Sequence, residues 1–263
     1  MILRLTTHPN AVHLCLLPAW LKAENQSSEW ADAIKALIQA HPYGTQAPES
    51  RFGYLPLHFA CMAKKPNASV VLALLESFPD AAGEADTKHG KLPLHMLCQS
   101  RRPSEKLVRA LLDAFPDAAR EADTQAGRLP VHYACENPTC SPACITALLE
   151  EHPRCVEEAD ELVGRLPLHW LCRHPAFSPL LLEDVIKRYP QAVRVFDETG
   201  MLPLHIACDA MKPSEAVVRL LLKEYPEAIN DIDAQNVRLL QVPPRVCWHQ
   251  LTHVRPLVVL FVS

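Results

Sequence analysis

A histidine followed three residues later by a cysteine recurs five times in this chain, as His58/Cys61, His95/Cys98, His132/Cys135, His169/Cys172 and His205/Cys208. On a helix, residues three apart share a face, so each pair could offer two metal ligands. Zinc takes four ligands at ~2.0–2.3 Å, and the other two would have to come from a neighbouring helix ~8–10 Å away. That gap is awkward for a tetrahedral site. It is also too wide for disulfides between equivalent cysteines, which need Cα atoms within ~7 Å. Cysteine otherwise packs as a small buried hydrophobe, and packing is the preferred reading. The cluster His132, Cys135, Cys140 and Cys144, with Cys155 beyond it, tests that preference. Cys144 stands where other units have Val70, Leu107, Leu181 and Val217, and Cys155 where they have Ala81, Ala118, Ala192 and Ala228. Only Cys140 lacks a packing reason, because three units place proline there. It keeps open an alternative, a Cys/His-dependent metal-binding or redox-responsive protein.

The elements that must hold these residues follow from an internal repeat. Leu-Pro-Leu-His or Leu-Pro-Val-His begins at Leu55, Leu92, Leu129, Leu166 and Leu202, in steps of 37, 37, 37 and 36. Prolines at 42, 79, 116, 153, 190 and 226 and glycines at 53, 90, 127, 164 and 200 keep the same beat. The proline of each motif suits the first position of a helix, where its missing N–H is unneeded. Twelve residues after the first leucine, Asn67, Ser104, Ser141, Ser178 and Ser214 are N-cap candidates for a second helix. Apolar sets such as Leu107, Val108, Leu111 and Leu112 then show helical periodicity, up to an aromatic-Pro or His-Pro stop. Such a pair of short helices cannot bury its own apolar stripe, so neighbours must stack.

These residues resemble an ankyrin repeat array. Asp197–Gly200 followed by Leu202-Pro203-Leu204-His205-Ile206-Ala207 matches the ankyrin loop and first helix best, and earlier units match with one extra loop residue. The resemblance spans roughly residues 18 to 236 and implies an all-α, ankyrin-like helix-turn-helix repeat solenoid. In this family the position of the recurrent cysteine is usually alanine. Two departures stand out. The period exceeds the usual 33 by about four residues, the excess lying in stretches such as Pro116–Glu121, where an extra turn is expected. Leucine also replaces the threonine before proline, which removes a cap worth ~1 kcal/mol and the hydroxyl that helps orient the histidine.

The expected organisation is an N-terminal extension at 1–17, a degenerate cap repeat at 18–54, five repeats at 55–236, and a degenerate cap or non-native tail at 237–263. The cap's second helix is expected over Trp30–Ala40, with Ile34, Leu37 and Ile38 inward.

Composition excludes much else. The 263 residues are 49% hydrophobic and 21% charged with a net charge of −4, which gives no footprint of a general nucleic-acid binder. Gly-x-Gly-x-x-Gly, Gly-x-Ser-x-Gly, His-Glu-x-x-His and Cys-x-x-Cys are all absent, so no enzyme and no cofactor are expected. No apolar run approaches the ~20 residues of a membrane span. The size makes a disulfide scaffold unnecessary, and an intracellular, cytoplasmic or nuclear location is expected.

The expected function is a protein-interaction scaffold or adaptor that holds a partner in a concave groove. The resemblance assigns that groove to loop tips and first-helix exits: Lys88, Lys91, Gln125, Arg128, Leu162, Arg165, Met201, Arg101 and Arg173. Lys64, Lys65 and Arg102 belong to the same exits. Lys91, Arg128 and Arg165 are equivalent in three successive units, so stacking should align them in a cationic column. The partner is expected to carry acidic and apolar residues. Phe59, Met96, Tyr133, Trp170 and Ile206 are expected in the core rather than at the binding face.

Overall fold

The computed structural model describes residues 28–173, 178–210 and 214–231. The expected N-terminal extension at 1–17, the first ten residues of the cap repeat and the segment 237–263 lie outside these. Eleven α-helices and no strand occur among the described residues. They divide into two compact units, Met1–His152 and Pro153–Ser263, the division coming between the third and fourth Leu-Pro motifs.

In the first unit, α1 (Ser28–Ala40) turns Ala31, Ile34, Leu37 and Ile38 inward. Three helix pairs follow: α2 (Pro56–Met62) with α3 (Ala68–Ser77), α4 (Pro93–Gln99) with α5 (Glu105–Ala114), and α6 (Pro130–Glu136) with α7 (Pro142–Glu151). Helices α2, α4 and α6 pack in sequence as one layer, and α1, α3, α5 and α7 as a second. The second unit repeats this with α8 (Pro167–Arg173), α9 (Pro179–Arg188), α10 (Pro203–Asp209) and α11 (Glu215–Glu224), α8 on α10 and α9 on α11.

Local chemistry sets the boundaries. Leu55, Leu92, Leu129 and Leu202 hold extended backbone at the N-cap, and the following proline enters at N1. All five second-helix cap candidates occupy the N-cap, but the side chains divide. Asn67, Ser141 and Ser178 accept backbone N–H groups, whereas Ser104 and Ser214 make no side-chain cap bond. In those two repeats a glutamate, Glu105 or Glu215, occupies the first turn and complements the positive helix end. Each second helix closes when the residue before proline leaves helical geometry, as Phe78 does at φ −149° and ψ 85°.

The longer repeat has a structural purpose. After each stop the chain makes a 3₁₀ turn, at Pro79–Gly83, Pro116–Ala119, Pro153–Glu157, Pro190–Arg194 and Pro226–Asn230. The first four bury two small residues apiece, Ala81/Ala82, Ala118/Ala119, Cys155/Val156 and Ala192/Val193. The extra residues therefore extend the core beneath the helices instead of bulging into solvent. Phe59, Met96, Tyr133, Trp170 and Ile206 are all buried, as expected.

Leu148 is 1% exposed in the middle of α7. Leu148→Ala should cost about 2–5 kcal/mol through lost burial and a cavity. Because each helix pair shares its core with a neighbour, loss of helical ellipticity in denaturant should move to a lower midpoint for the whole first unit.

Candidate functional site

The loop before each Leu-Pro motif is built around one buried aspartate. In the first full loop, Asp86 Oδ1 accepts the N–H groups of Lys88 at 2.8 Å and His89 at 2.7 Å, and Oδ2 accepts that of Lys91 at 3.0 Å. Its own N–H donates to Lys91 O, and the Gly90 N–H to Asp86 O. Gly90 sits at φ +66°, and a Cβ there would stand 2.6 Å from Thr124 of the next loop. Asp123, Asp160 and Asp197 do the same work and are 1–4% exposed. Adjacent loops are also tied backbone to backbone, Thr87 N to Phe52 O and Thr124 N to His89 O in the first unit, and Glu198 N to Val163 O in the second.

The motif histidine locks this loop to the helix layer. Nδ1 of His58 accepts the Leu55 N–H at 3.0 Å, so Leu55 needs no hydroxyl to orient the ring. With Nδ1 accepting, the proton sits on Nε2, which donates to Lys91 O of the following loop at 3.2 Å. His95 repeats this with Leu92 and Arg128 O, and His169 with Leu166 and Val195 O. Burial pushes the pKa of all three down to about 4, against the opposing pull of those carbonyls and nearby aspartates. Both ring nitrogens are thus committed to backbone.

The cysteines three residues on are buried at positions 61, 98, 135 and 172 and partly so at 208. Burial pushes the Cys61, Cys98 and Cys172 thiols far up and the Cys208 thiol to about 12. Among the described residues, no group of three or more His, Cys, Asp or Glu is disposed to hold a metal ion. Cys140 does have a packing place. It is 5% exposed beside Cys144, whose sulfur lies 3.2 Å from Ser141 Oγ. Hydrogen bonds from Cys140 and Ser141, against burial, hold the Cys144 thiol down at about 7.

The expected cationic column is committed to the fold. Arg128, with its side chain 11% exposed, donates to Glu136 at 2.9 Å and lies over the Tyr133 ring. Lys91 lies over that same ring at 4.5 Å and reaches Gln99 at 3.4 Å. In the second unit Arg165 donates to the fully buried Asp197 carboxylate at 2.8 Å and stacks on Trp170. Burial works to raise the Asp197 pKa, but bonds from Thr199, the Met201 N–H and Arg165 outweigh it and hold it low. Arg128 and Arg165 each combine an ion pair with a ring contact inside the fold. A signal for this lay eight residues downstream, where Gln99 and Glu136 are partners and Arg173 cannot be one, so that Arg165 turns to Asp197 instead. The bonds from Tyr133 and Trp170 to Asp123 and Asp160 had no sequence signal. Lys88, Gln125, Leu162, Arg101 and Arg173 are exposed, and Met201 is half-buried.

A family model, the ankyrin repeat, matches residues 199–237. The ankyrin repeat domain of Bcl-3, a member of the IkappaB family, superposes with TM-score 0.59 over 96% of this chain and 97% of its own, at 19% identity. The chain carries the ankyrin-repeat fold. A chain from the complex of the Bd0816 predatory endopeptidase of Bdellovibrio bacteriovorus with immunity protein Bd3460 also matches, with TM-score 0.57 and 18% identity over 73% of this chain and 91% of that one. No curated protein matches the sequence. The matched ankyrin repeat is also the one with the shorter loop. Gly200 N bonds Asp197 O three residues back, whereas Gly90, Gly127 and Gly164 reach four residues back.

Because the folded histidines resist protonation, the unfolded chain binds more protons between pH 4 and 6.5. Stability should be complete above about pH 6.5 and fall as pH drops towards 4, each histidine steepening the slope by up to about 1.4 kcal/mol per pH unit. Denaturant midpoints measured across that window check this, and His95→Gln should flatten the slope. A strong chelator should leave the melting temperature unchanged.

Proposed function

We propose that this chain is a non-enzymatic scaffold or adaptor that binds a protein partner across its loop tips and first-helix exits. The supporting observation is the division of labour within each loop. The aspartate, glycine and motif histidine are consumed by the frame, which leaves Lys88 and Gln125 in the first unit and Leu162 in the second exposed on fixed backbone. Ordering them for a partner costs little entropy, because the hydrogen bonds that hold the loop exist beforehand. The tips differ from repeat to repeat in charge and polarity while the frame does not, a pattern that suits recognition.

The two solved neighbours support the reading only through the shared fold, since their identities are 19% and 18%. Lys91 and Met201 border the tips, while Arg128 and Arg165 act as the support beneath them. No described helix is long and apolar enough to cross a membrane. We infer an intracellular site of action, cytoplasmic or nuclear, since the eight described cysteines are in thiol form and a core of this size needs no disulfide staple.

Capture with the intact chain as bait, repeated with Lys88→Glu/Gln125→Glu and with Leu162→Ser, tests this. Each variant should lose captured partner while keeping the parent melting temperature. Arg165→Glu should instead lower the melting temperature, because it sets a carboxylate against buried Asp197.

A further inference from the structure

Four cations of the first unit are held in ion pairs. Lys35 pairs with Asp32, Arg109 with Glu105 and Glu150, Arg120 with Asp117, and Arg128 with Glu136. The turns that join α2 to α3 and α4 to α5 gather cations of another kind. They carry Lys64, Lys65, Arg101 and Arg102, all exposed, and none makes an ion pair with another described residue. The nearest acid in sequence, Glu105, is occupied by Arg109. In a chain with 30 acidic and 26 basic side chains, acids are available to neutralise such a cluster, yet they are placed elsewhere.

Two further observations give the cluster shape. The corresponding turn of the third repeat carries Asn137, Pro138 and Thr139, so the positive strip ends after two repeats. On the first repeat it borders Met62, which is 40% exposed at the end of α2. Helices α2 and α4 pack against each other, so equivalent turn residues recur at about the helix-packing distance of 8–10 Å. A chain in polyproline II geometry rises about 3.1 Å per residue and returns to the same face every third residue. Carboxylates three residues apart on such a segment match the spacing of the two cation pairs.

We propose that the Lys64–Lys65 and Arg101–Arg102 turns form a docking strip for an extended acidic segment of a partner protein, with acidic pairs three residues apart and an apolar residue beside Met62. The proposal rests on the reading of the chain as an interaction scaffold, and it moves the electrostatic recognition from the committed column at Lys91, Arg128 and Arg165 to these turns. Charge complementarity selects the occupant. A strip two repeats wide suits a short acidic peptide, whereas a nucleic acid would present its long phosphate array to a protein whose net charge is −4.

The test uses the full chain and a fluorescein-labelled peptide, Leu-Glu-Glu-Ala-Glu-Glu-Leu, followed by anisotropy at about 50 and 300 mM salt. Saturable binding that weakens at the higher salt is expected. Lys64→Glu/Lys65→Glu and Arg101→Glu/Arg102→Glu should each weaken it at least about tenfold without shifting the melting temperature. Arg154→Glu/Lys223→Glu makes the same charge change elsewhere and should leave affinity unchanged. Equal affinity after both turn reversals, or tighter binding of an oligothymidylate or of anionic lipid vesicles, overturns the proposal. The loop-tip reading would still stand on its own capture experiment.

Discussion

The structure depends on a buried imidazole that bonds in two directions. His58 accepts the first N–H of its own helix and donates to a carbonyl of the next repeat's loop. One side chain therefore caps a helix, fixes a tautomer and couples adjacent repeats. The same contact tolerates leucine at the N-cap, since the donor to the ring is backbone. It works only with a neutral ring, because a proton on Nδ1 would face an N–H donor with no acceptor nearby.

The aspartates extend this logic outward. Each buried carboxylate gathers loop amides that would otherwise lack partners, and its remaining capacity goes to what the repeat supplies: Tyr133 for Asp123, Trp170 for Asp160, Arg165 for Asp197. A buried carboxylate is tolerable only when its oxygens are satisfied. This requirement draws the periodic arginine at 165 into the frame. The paired cations at Arg128 and Arg165 belong to the frame, and the exposed cations at Lys64, Lys65, Arg101 and Arg102 are left for solvent or a partner.

The added 3₁₀ turns supply a third contribution to the core. Placing Ala118 and Ala119, or Cys155 and Val156, beneath the helices gives each repeat more buried apolar area than two helices of seven and ten residues provide.

The sequence by itself determined the repeat, the helix boundaries, the inward positions of Leu107 or Leu148, and the burial of the motif cysteines. These follow from period and residue type, both local properties of the chain. It also marked Cys144 and Cys155 as core positions by register alone. Tertiary structure decided the rest. Whether a cation at a given register is free depends on what another repeat places within about 3 Å of it. Arg128 meets Glu136 eight residues away, and Arg165 meets Asp197 thirty-two residues away. Only the folded chain brings Lys91 and Arg128 over one tyrosine ring, carries Nε2 of His58, His95 and His169 to carbonyls of the next loop, and shows which charges remain exposed, because each of these depends on where the next repeat is placed.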